Sequence, residues 1–415
     1  MPTAVTAVST WLVVVAVFAL PPLGVLAPKA LAPLALLTAV AALPLLHAAG
    51  WRAPWSMRML ALPAIAALAW GWASALWAID PGLALARAAK LTGITVVGAI
   101  LFAAIVDLPE PRRRQVGAAL VFGVAAALLL ITIDLALGGG LRRAIRDVPS
   151  YYGMASLNNG ITLVVLLVGP AMVWLWRFGA APARAFWRWL APLPAAASVF
   201  LLMNLESQSA TAAFAVGAAT FVAIAAAPKI MARLLAVGVA VGTMAAPALV
   251  LTVLDARRLA DWFGGLSSTT IHRLYIWDFS VERILERPLL GWGLDSSRVM
   301  PGRDVMITEV NPNLPSTIYG QMQVLPLHPH NAPLQLWLEL GLPGALLFAL
   351  ITGGLLYGVA GRTGNRLGAG VAAAVLVMAL ALSSMSYGIW QTWWLAALWF
   401  AAALTAVTVR RPANK

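Results

Sequence analysis

Long apolar stretches separated by short polar breaks make up most of this chain. Cutting the sequence at its polar breaks gives about twelve stretches of roughly 15 to 26 residues, and about 20 helical residues cross a hydrocarbon core of about 30 Å. The pattern therefore predicts an all-α integral membrane protein with about twelve transmembrane helices. The predicted spans are residues 8–26, 31–48, 59–77, 91–106, 116–137, 160–176, 190–204, 209–227, 234–254, 334–359, 367–386 and 389–408.

Composition supports this prediction. Of the 415 residues, 61% are hydrophobic and 10% are charged, whereas a soluble domain has roughly 25% charged residues. Cysteine is absent, which excludes disulfides, a thiolate nucleophile and cysteine-ligated metal. The first 26 residues show no positive n-region and no clear cleavage site, so we expect a retained span rather than a removed signal peptide.

The placement of basic residues predicts orientation. If the N-terminus is cytoplasmic, the short cytoplasmic connections hold more than half of the 28 lysines and arginines, which is the positive-inside pattern. The formal net charge of +13 is therefore a topology signal, and we do not expect nucleic-acid binding.

One long interruption divides the single integral domain. Residues 1–254 hold helices 1–9 with short loops, residues 255–333 form a periplasmic loop, and residues 334–415 hold helices 10–12 and a short cytoplasmic tail. The loop begins with STTIHRLYIWDFSVERILERP, which predicts a helix of about 18 residues that ends before a proline. An extramembrane segment this long is usually functional, so we expect the site here.

Two histidines mark the end of this loop, in LHPHNAPLQLWLELGLPG (residues 327–344). Asn331 is a good N-cap, which places His328 and His330 just before a helix N-terminus. The positive end of the helix favours neutral imidazole, and its free N–H groups attract phosphate. A bound diphosphate would instead favour the protonated imidazole, so the sequence leaves the protonation state of the two histidines open. Alternatively, both histidines only bond loop carbonyls.

A zinc site is not expected. The 4 histidines lie at positions 47, 272, 328 and 330, without an HExxH motif and without cysteine, and such a set lacks zinc-ligand spacing.

Three further arginines, Arg142, Arg143 and Arg146, fall on the predicted outer side, where positive charge is disfavoured. Arg142 and Arg146 are spaced i, i+4, so a helical turn would put them on one face. They are candidates for an anion cradle. The alternative is a solvated loop or lipid-headgroup contact.

The predicted external helix carries Arg273 on one face with Trp277 and Ser280. The alternative for Arg273 is an ion pair with a nearby acid on the same helix. Glu339, two turns into the following apolar segment, is a membrane carboxylate, and such groups usually face the protein interior and pair. A structural partner and a catalytic role both remain open for it.

Two segments, HRLYIWDFSVERILERPLLGWGLDSSR and HPHNAPLQLWLELGLPG, resemble the O-antigen ligase family over about residues 268–345. The superfamily also contains O-antigen polymerases and protein O-oligosaccharyltransferases. The resemblance implies a C-type glycosyltransferase in the bacterial inner membrane. It would act at the periplasmic face, without metal, cofactor or nucleotide sugar, and move a glycan from undecaprenyl diphosphate to the lipid A-core oligosaccharide.

Site residues follow from the same resemblance. His330 matches the family's catalytic histidine and Arg273 its loop arginine. Beside these two residues, we expect His328, Asn331 and Trp277 to contact substrate. Many relatives open a middle span with a Ser-Arg pair, but this chain has Ala210 at the arginine position. We therefore expect Arg142, Arg143 or Arg146 to supply the missing charge.

The expected reaction is an inverting transfer in which arginines clamp the diphosphate and His330 activates the acceptor hydroxyl. The expected partners are the lipid-linked donor, the lipid A-core acceptor and membrane lipids, while oligomeric state stays open. A polymerase or a protein O-oligosaccharyltransferase would differ only in acceptor. A non-catalytic lipid or glycan transporter is disfavoured, because transporters tend to carry charged residues in interrupted spans at the membrane midplane.

Overall fold

The protein is a bundle of long helices. The structure, a computed structural model, describes residues 4–50, 55–146, 157–179, 184–205, 207–254, 268–307, 322–359 and 365–409. The helices in these residues are α1 Ala4–Leu26, α2 Leu31–Ala48, α3 Trp55–Ala73, α4 Pro81–Val106, α5 Glu110–Ala136, α6 Gly140–Arg146, α7 Leu157–Phe178, α8 Phe186–Leu190, α9 Leu193–Asn204, α10 Gln208–Ala226, α11 Pro228–Thr252, α12 Ser268–Glu286, α13 Ala332–Val359, α14 Arg366–Ser383 and α15 Thr392–Val409.

The helix pattern confirms the predicted fold class. Eleven helical segments of the described chain are long and apolar enough to cross a membrane, and a shorter apolar helix covers Leu60–Leu76. Each of the twelve predicted spans coincides with one of these segments. The predicted boundaries differ most at α4, which begins at Pro81 because Asp80 caps it by accepting the Leu83 N–H at 2.9 Å. Helix α4 thus starts ten residues before the predicted span, which begins at residue 91.

Helix packing places the main core around α1, α5, α7 and α15. Its largest fully buried side chains include Trp174, Trp394 and Phe400. Small residues let the helices approach closely: a side chain at Gly117 would overlap Trp174, and one at Gly98 would overlap Trp399. Small residues at helix contacts, which leave room for a neighbouring helix, are typical of membrane helix packing.

Helix α12, which was predicted to be external, packs against α11 and α13. The chain that follows α12 folds back on it: the Ile307 N–H donates to the Met322 carbonyl at 2.9 Å, and the Val324 N–H donates to the Val305 carbonyl at 2.9 Å. His272 of α12 donates a ring N–H to the Gln323 carbonyl at 2.9 Å. These bonds hold the segment that leads into the histidine motif against α12.

The predicted span 334–359 is found as helix α13, but this helix is broken at one residue. Within α13, Gly341 has φ 63° and ψ −159°, which breaks the helix into two halves. The turn at residues 288–293 docks into this break: the Trp292 and Gly293 N–H groups donate to the Leu338 and Glu339 carbonyls, each at 2.9 Å. The carbonyls at the end of its first half thus bond the turn at 288–293 instead of a following turn of helix.

Replacing Gly341 by alanine should destabilise the protein. A Cβ at this position would fall against the Leu289 carbonyl oxygen, and this combination of positive φ with ψ −159° is essentially restricted to glycine and costs another residue about 1–3 kcal/mol. We expect a lower thermal unfolding temperature in detergent. The matched control is Gly242→Ala in α11, where a Cβ meets nothing within 4 Å. Equal unfolding temperatures for the two variants would contradict the docking of the turn.

Candidate active site

The histidine motif lies at the end of the bundle where α12 docks, and its geometry starts from the N-terminus of α13. Asn331 accepts the Leu334 N–H through Oδ1 at 3.2 Å, which confirms it as an N-cap. His330 just before it has φ 52°, one of two positive values among the described non-glycine residues. A histidine held in this sparsely populated region is typical of functional sites, where surrounding contacts maintain the strain.

The ring of His330 is fixed in one tautomer. Its Nδ1 lies 2.9 Å from the backbone carbonyl oxygen of Ser386, in the loop between α14 and α15. A carbonyl only accepts, so Nδ1 carries the proton and donates it. The neutral ring then keeps its lone pair on Nε2, and His330 is able to accept a proton there.

His328 packs directly beside His330, with ring centroids 4.1 Å apart. Its Nδ1 accepts the backbone N–H of His330 at 3.2 Å, so it helps to hold the strained residue. Gly388 leaves the space for this ring, because a Cβ there would lie 2.8 Å from the His328 Cδ2 atom. His328 is 5% exposed, so its role in the motif is to pack against His330 and hold it in place.

Both imidazoles are neutral at neutral pH. Burial, and then the charge of Arg273, lowers the pKa of His330 to about 4, although the hydrogen bond to Ser386 acts in the opposite direction. Burial, and then the charges of His330 and Arg298, lowers the pKa of His328 to about 2. The sequence left this protonation open, and the surrounding burial and cations determine it.

Helix α12 brings Arg273 and Trp277 to the same place. The Arg273 Nη2 lies 3.4 Å from the Ser209 hydroxyl at the start of α10, and its charge acts on His330. Burial lowers the pKa of Arg273, but an arginine keeps its charge in proteins. Trp277 donates its indole N–H to the Pro329 carbonyl at 3.0 Å, which ties α12 to the histidine motif.

Glu339 proves to have partners. This fully buried carboxyl accepts the Asp295 backbone N–H at 2.6 Å, the Ser297 hydroxyl at 2.5 Å, the Gln335 amide at 3.1 Å and the Trp390 indole at 2.5 Å. Trp390 belongs to the same loop as Ser386, which bonds His330. Glu339 therefore joins the external turn, α13 and the loop that orients the histidine.

Asp295, Arg87 and Arg298 are site residues that the sequence reasoning missed. Arg87 of α4 pairs with Asp295 at 2.7 Å and donates to the Trp390 carbonyl at 3.0 Å. Arg298 pairs with the other oxygen of Asp295 at 3.1 Å. Arg87 and Asp295 stand 208 positions apart, so no local pattern connects them. The only sequence signal for Asp295 and Arg298 was the motif GLDSSR at residues 293–298.

The three arginines near residue 140 are not joined to this cluster by any described contact. Arg143 is exposed and donates to the Gly138 carbonyl at 2.9 Å. The side chains of Arg142 and Arg146 lie outside the described residues, although both belong to α6. Ala210 is fully buried in the apolar core, so neighbouring side chains fill the place where the family pattern has an arginine.

The described residues contain no group of three or more histidine, cysteine, aspartate or glutamate side chains placed to hold a metal ion. The site therefore presents an imidazole base, arginines and buried carboxyls. This set suits proton transfer beside an anion.

Comparison with known proteins identifies the domain that carries this geometry. The family described as O-Antigen ligase matches residues 193–349. This range contains α12, Arg273, both histidines and the break in α13. The chain carries an O-antigen ligase family domain. The resemblance read from the two motifs is thereby confirmed, and the O-antigen ligase domain extends further toward the N-terminus, to residue 193.

Similar proteins share most of the chain with this one. A "Putative polysaccharide ligase" of Rickettsia conorii is 27% identical over 327 residues, which are 79% of this chain and 74% of that protein. Proteins of the same name from Rickettsia typhi and Rickettsia felis are each 26% identical, over 80% and 79% of this chain and 76% and 75% of theirs. The similarity thus reaches well beyond the O-antigen ligase domain.

Replacing Glu339 by glutamine should destabilise the site. A carboxylate only accepts hydrogen bonds, whereas a glutamine would turn an NH₂ group toward groups that donate. A buried donor left without a partner costs about 1–3 kcal/mol. We expect a lower unfolding temperature in detergent.

The control for this prediction is Glu282→Gln, the same chemical change at an exposed position of α12. Surface changes of this kind usually alter stability by less than about 0.5 kcal/mol. An equal, small effect of both variants would show that the four bonds to Glu339 contribute little.

Proposed function

We propose that this protein is an O-antigen ligase that moves a glycan from undecaprenyl diphosphate to the lipid A-core oligosaccharide at the periplasmic face of the bacterial inner membrane. The observation that carries the proposal is the state of His330. Its Nδ1 is committed to the Ser386 carbonyl, its pKa is about 4 and the charge of Arg273 acts on it. A neutral base beside a cation suits transfer from a lipid diphosphate to a hydroxyl.

Arg273 acts on the donor. A lipid diphosphate leaves as an anion, and a fixed cation stabilises the negative charge that develops as the sugar–oxygen bond breaks. The guanidinium is partly buried and keeps its charge. The described hydrogen bond of Arg273 is a long contact of 3.4 Å to Ser209, at the start of α10. The free N–H groups of a helix N-terminus favour an anionic ligand beside it.

His330 acts on the acceptor. The acceptor hydroxyl gives its proton to Nε2 and its oxygen bonds to the anomeric carbon of the donor glycan. The bond from that carbon to the phosphate oxygen breaks, and undecaprenyl diphosphate leaves with the electron pair. A single displacement of this kind inverts the anomeric centre. General-base assistance is worth about 10²–10⁴ in rate.

The choice of a ligase over a polymerase or a protein-glycosylating enzyme is supported by the relatives, each named "Putative polysaccharide ligase". Placement of the site at the periplasmic face is supported by the basic residues of the opposite loops. The chain direction puts α12, the start of α10 and the α14–α15 loop at the same end of the bundle.

Replacing His330 by alanine should reduce glycan transfer by about 10²–10⁴, because the base is lost. The measurement is transfer from a defined undecaprenyl diphosphate glycan to lipid A-core by purified protein in detergent. The control is His47→Ala, which removes an exposed histidine of α2. Undiminished transfer by the His330 variant would exclude it as the base.

The pH profile gives a separate test. The neutral imidazole is the active form, so the kcat/KM of the free enzyme falls as pH drops through its pKa. With a pKa of about 4, activity should remain level from neutral pH down to about pH 5 and then decline. An ordinary histidine would lose activity near its unperturbed pKa of about 6.5. An acid limb at that higher pH would contradict the buried, neutral state.

A further inference from the structure

Three exposed leucines mark the end of α12 and the turn that follows it. Leu285 is 57% exposed, Leu289 is 65% exposed and Leu290 is 45% exposed. The sequence predicts this stretch in a loop outside the membrane, where water would surround these side chains. Large apolar side chains that are exposed side by side usually mark a surface that contacts something other than water. The surroundings of these leucines therefore call for a physical reason.

The length of α13 gives the depth of this turn. The Leu342 N–H donates to the Pro288 carbonyl at 3.0 Å, so the turn lies at the break at Gly341. The half of α13 beyond the break ends at Val359. Its roughly 18 residues span about 27 Å at 1.5 Å per residue, compared with about 30 Å for a hydrocarbon core. Because this half is about as long as the core is thick, the turn lies level with the edge of the core.

Tryptophans of α3 and the residues after it surround the turn at the same level. Trp77 donates its indole N–H to the Leu290 carbonyl at 3.0 Å, and Trp70 donates its own to the Leu340 carbonyl at 2.9 Å. Trp72 is exposed. Tryptophan is enriched where the hydrocarbon core meets the polar layer, because its ring is apolar and its N–H is polar. The aromatic side chains thus indicate the same depth as the helix length.

The charged side chains beside the leucines are paired or stacked. Arg283 pairs with Glu286 at 2.6 Å. The Arg287 guanidinium carbon lies 4.1 Å from the ring centroid of Trp292. Arginine stems can cover apolar surface while the charged group reaches the polar layer. Segments that combine leucines, tryptophans and basic residues in this way are typical of the membrane interface.

We propose that Leu285, Leu289 and Leu290 insert among lipid acyl chains at the edge of the hydrocarbon core, at the end of the bundle that holds the histidine motif. The end of α12 and the turn after it are then anchored in the bilayer. A lipid surface is favoured over a protein partner because the turn is bonded to α13 and to Trp77 after α3. Both helices expose apolar side chains, such as Leu62 and Leu350, as membrane-facing helices do. The anchoring requires no assumption about the reaction.

A spin label at position 289 tests this contact. The chain contains no cysteine, so a single cysteine variant carries a nitroxide without background labelling. Full-length Leu289→Cys protein is labelled and placed in phosphatidylcholine nanodiscs. Electron paramagnetic resonance then measures collisions with oxygen, which dissolves in hydrocarbon, and with a polar nickel complex, which stays in water. The lipid reference is Leu350→Cys, exposed in the second half of α13, and the water reference is Asp304→Cys, exposed after α12.

We expect the ratio of oxygen to nickel collisions at position 289 to resemble that at position 350. It should exceed the ratio at position 304 by about tenfold, because hydrocarbon excludes the polar complex. A ratio equal to that at position 304 would show that the leucines face water. Weak collisions with both reagents would show that protein covers them, as in a contact between two copies of the chain. Either result would overturn the lipid anchoring.

The unfolding temperature of each labelled variant serves as the folding control. All three positions are exposed, so each variant should unfold close to the wild-type temperature. The label then reports on the folded protein.

Discussion

The four hydrogen bonds to the buried carboxyl of Glu339 hold the site end of this protein together. They join the turn that contains Asp295 and Ser297, the first half of α13 through Gln335, and the α14–α15 loop through Trp390. A carboxyl removed from water is costly unless its oxygens are satisfied. The observed docking of the turn at 292–298 satisfies this requirement, because it completes the set of four donors around these oxygens.

The interruption of α13 makes that arrangement possible. A continuous helix would consume the carbonyls of residues 338 and 339 in its own ladder, whereas the break at Gly341 offers them to the turn at 292–293. Trp70 of α3 donates its indole N–H to the Leu340 carbonyl at 2.9 Å. Unpaired backbone groups are not tolerated in lipid and must find partners within the protein. Here the external segment and a neighbouring helix supply them.

The same arrangement orients the side chain of His330. The loop held by Glu339 presents the Ser386 carbonyl to His330, and Trp277 holds the Pro329 carbonyl one residue earlier. His330 is thereby kept at positive φ, with its proton on Nδ1. The charges of Arg273 and Arg298 act on His330 and His328, and Arg298 shares Asp295 with Arg87. A neutral base in a cationic surrounding suits the proposed transfer from an anionic lipid donor.

The sequence by itself determined the helical membrane fold, because span length and hydropathy are local properties. It also determined the external helix, the Asn331 cap, and Arg273 and His330 as a pair worth testing, since capping signals and motif residues stand close together in the chain. Only the tertiary structure decided the break at Gly341, the partners of Glu339, the tautomer of His330 and the place of Arg298. These depend on contacts such as Arg87 with Asp295 and His330 with Ser386, which lie 208 and 56 positions apart. Such contacts arise from the packing of helices that no short stretch of sequence encodes.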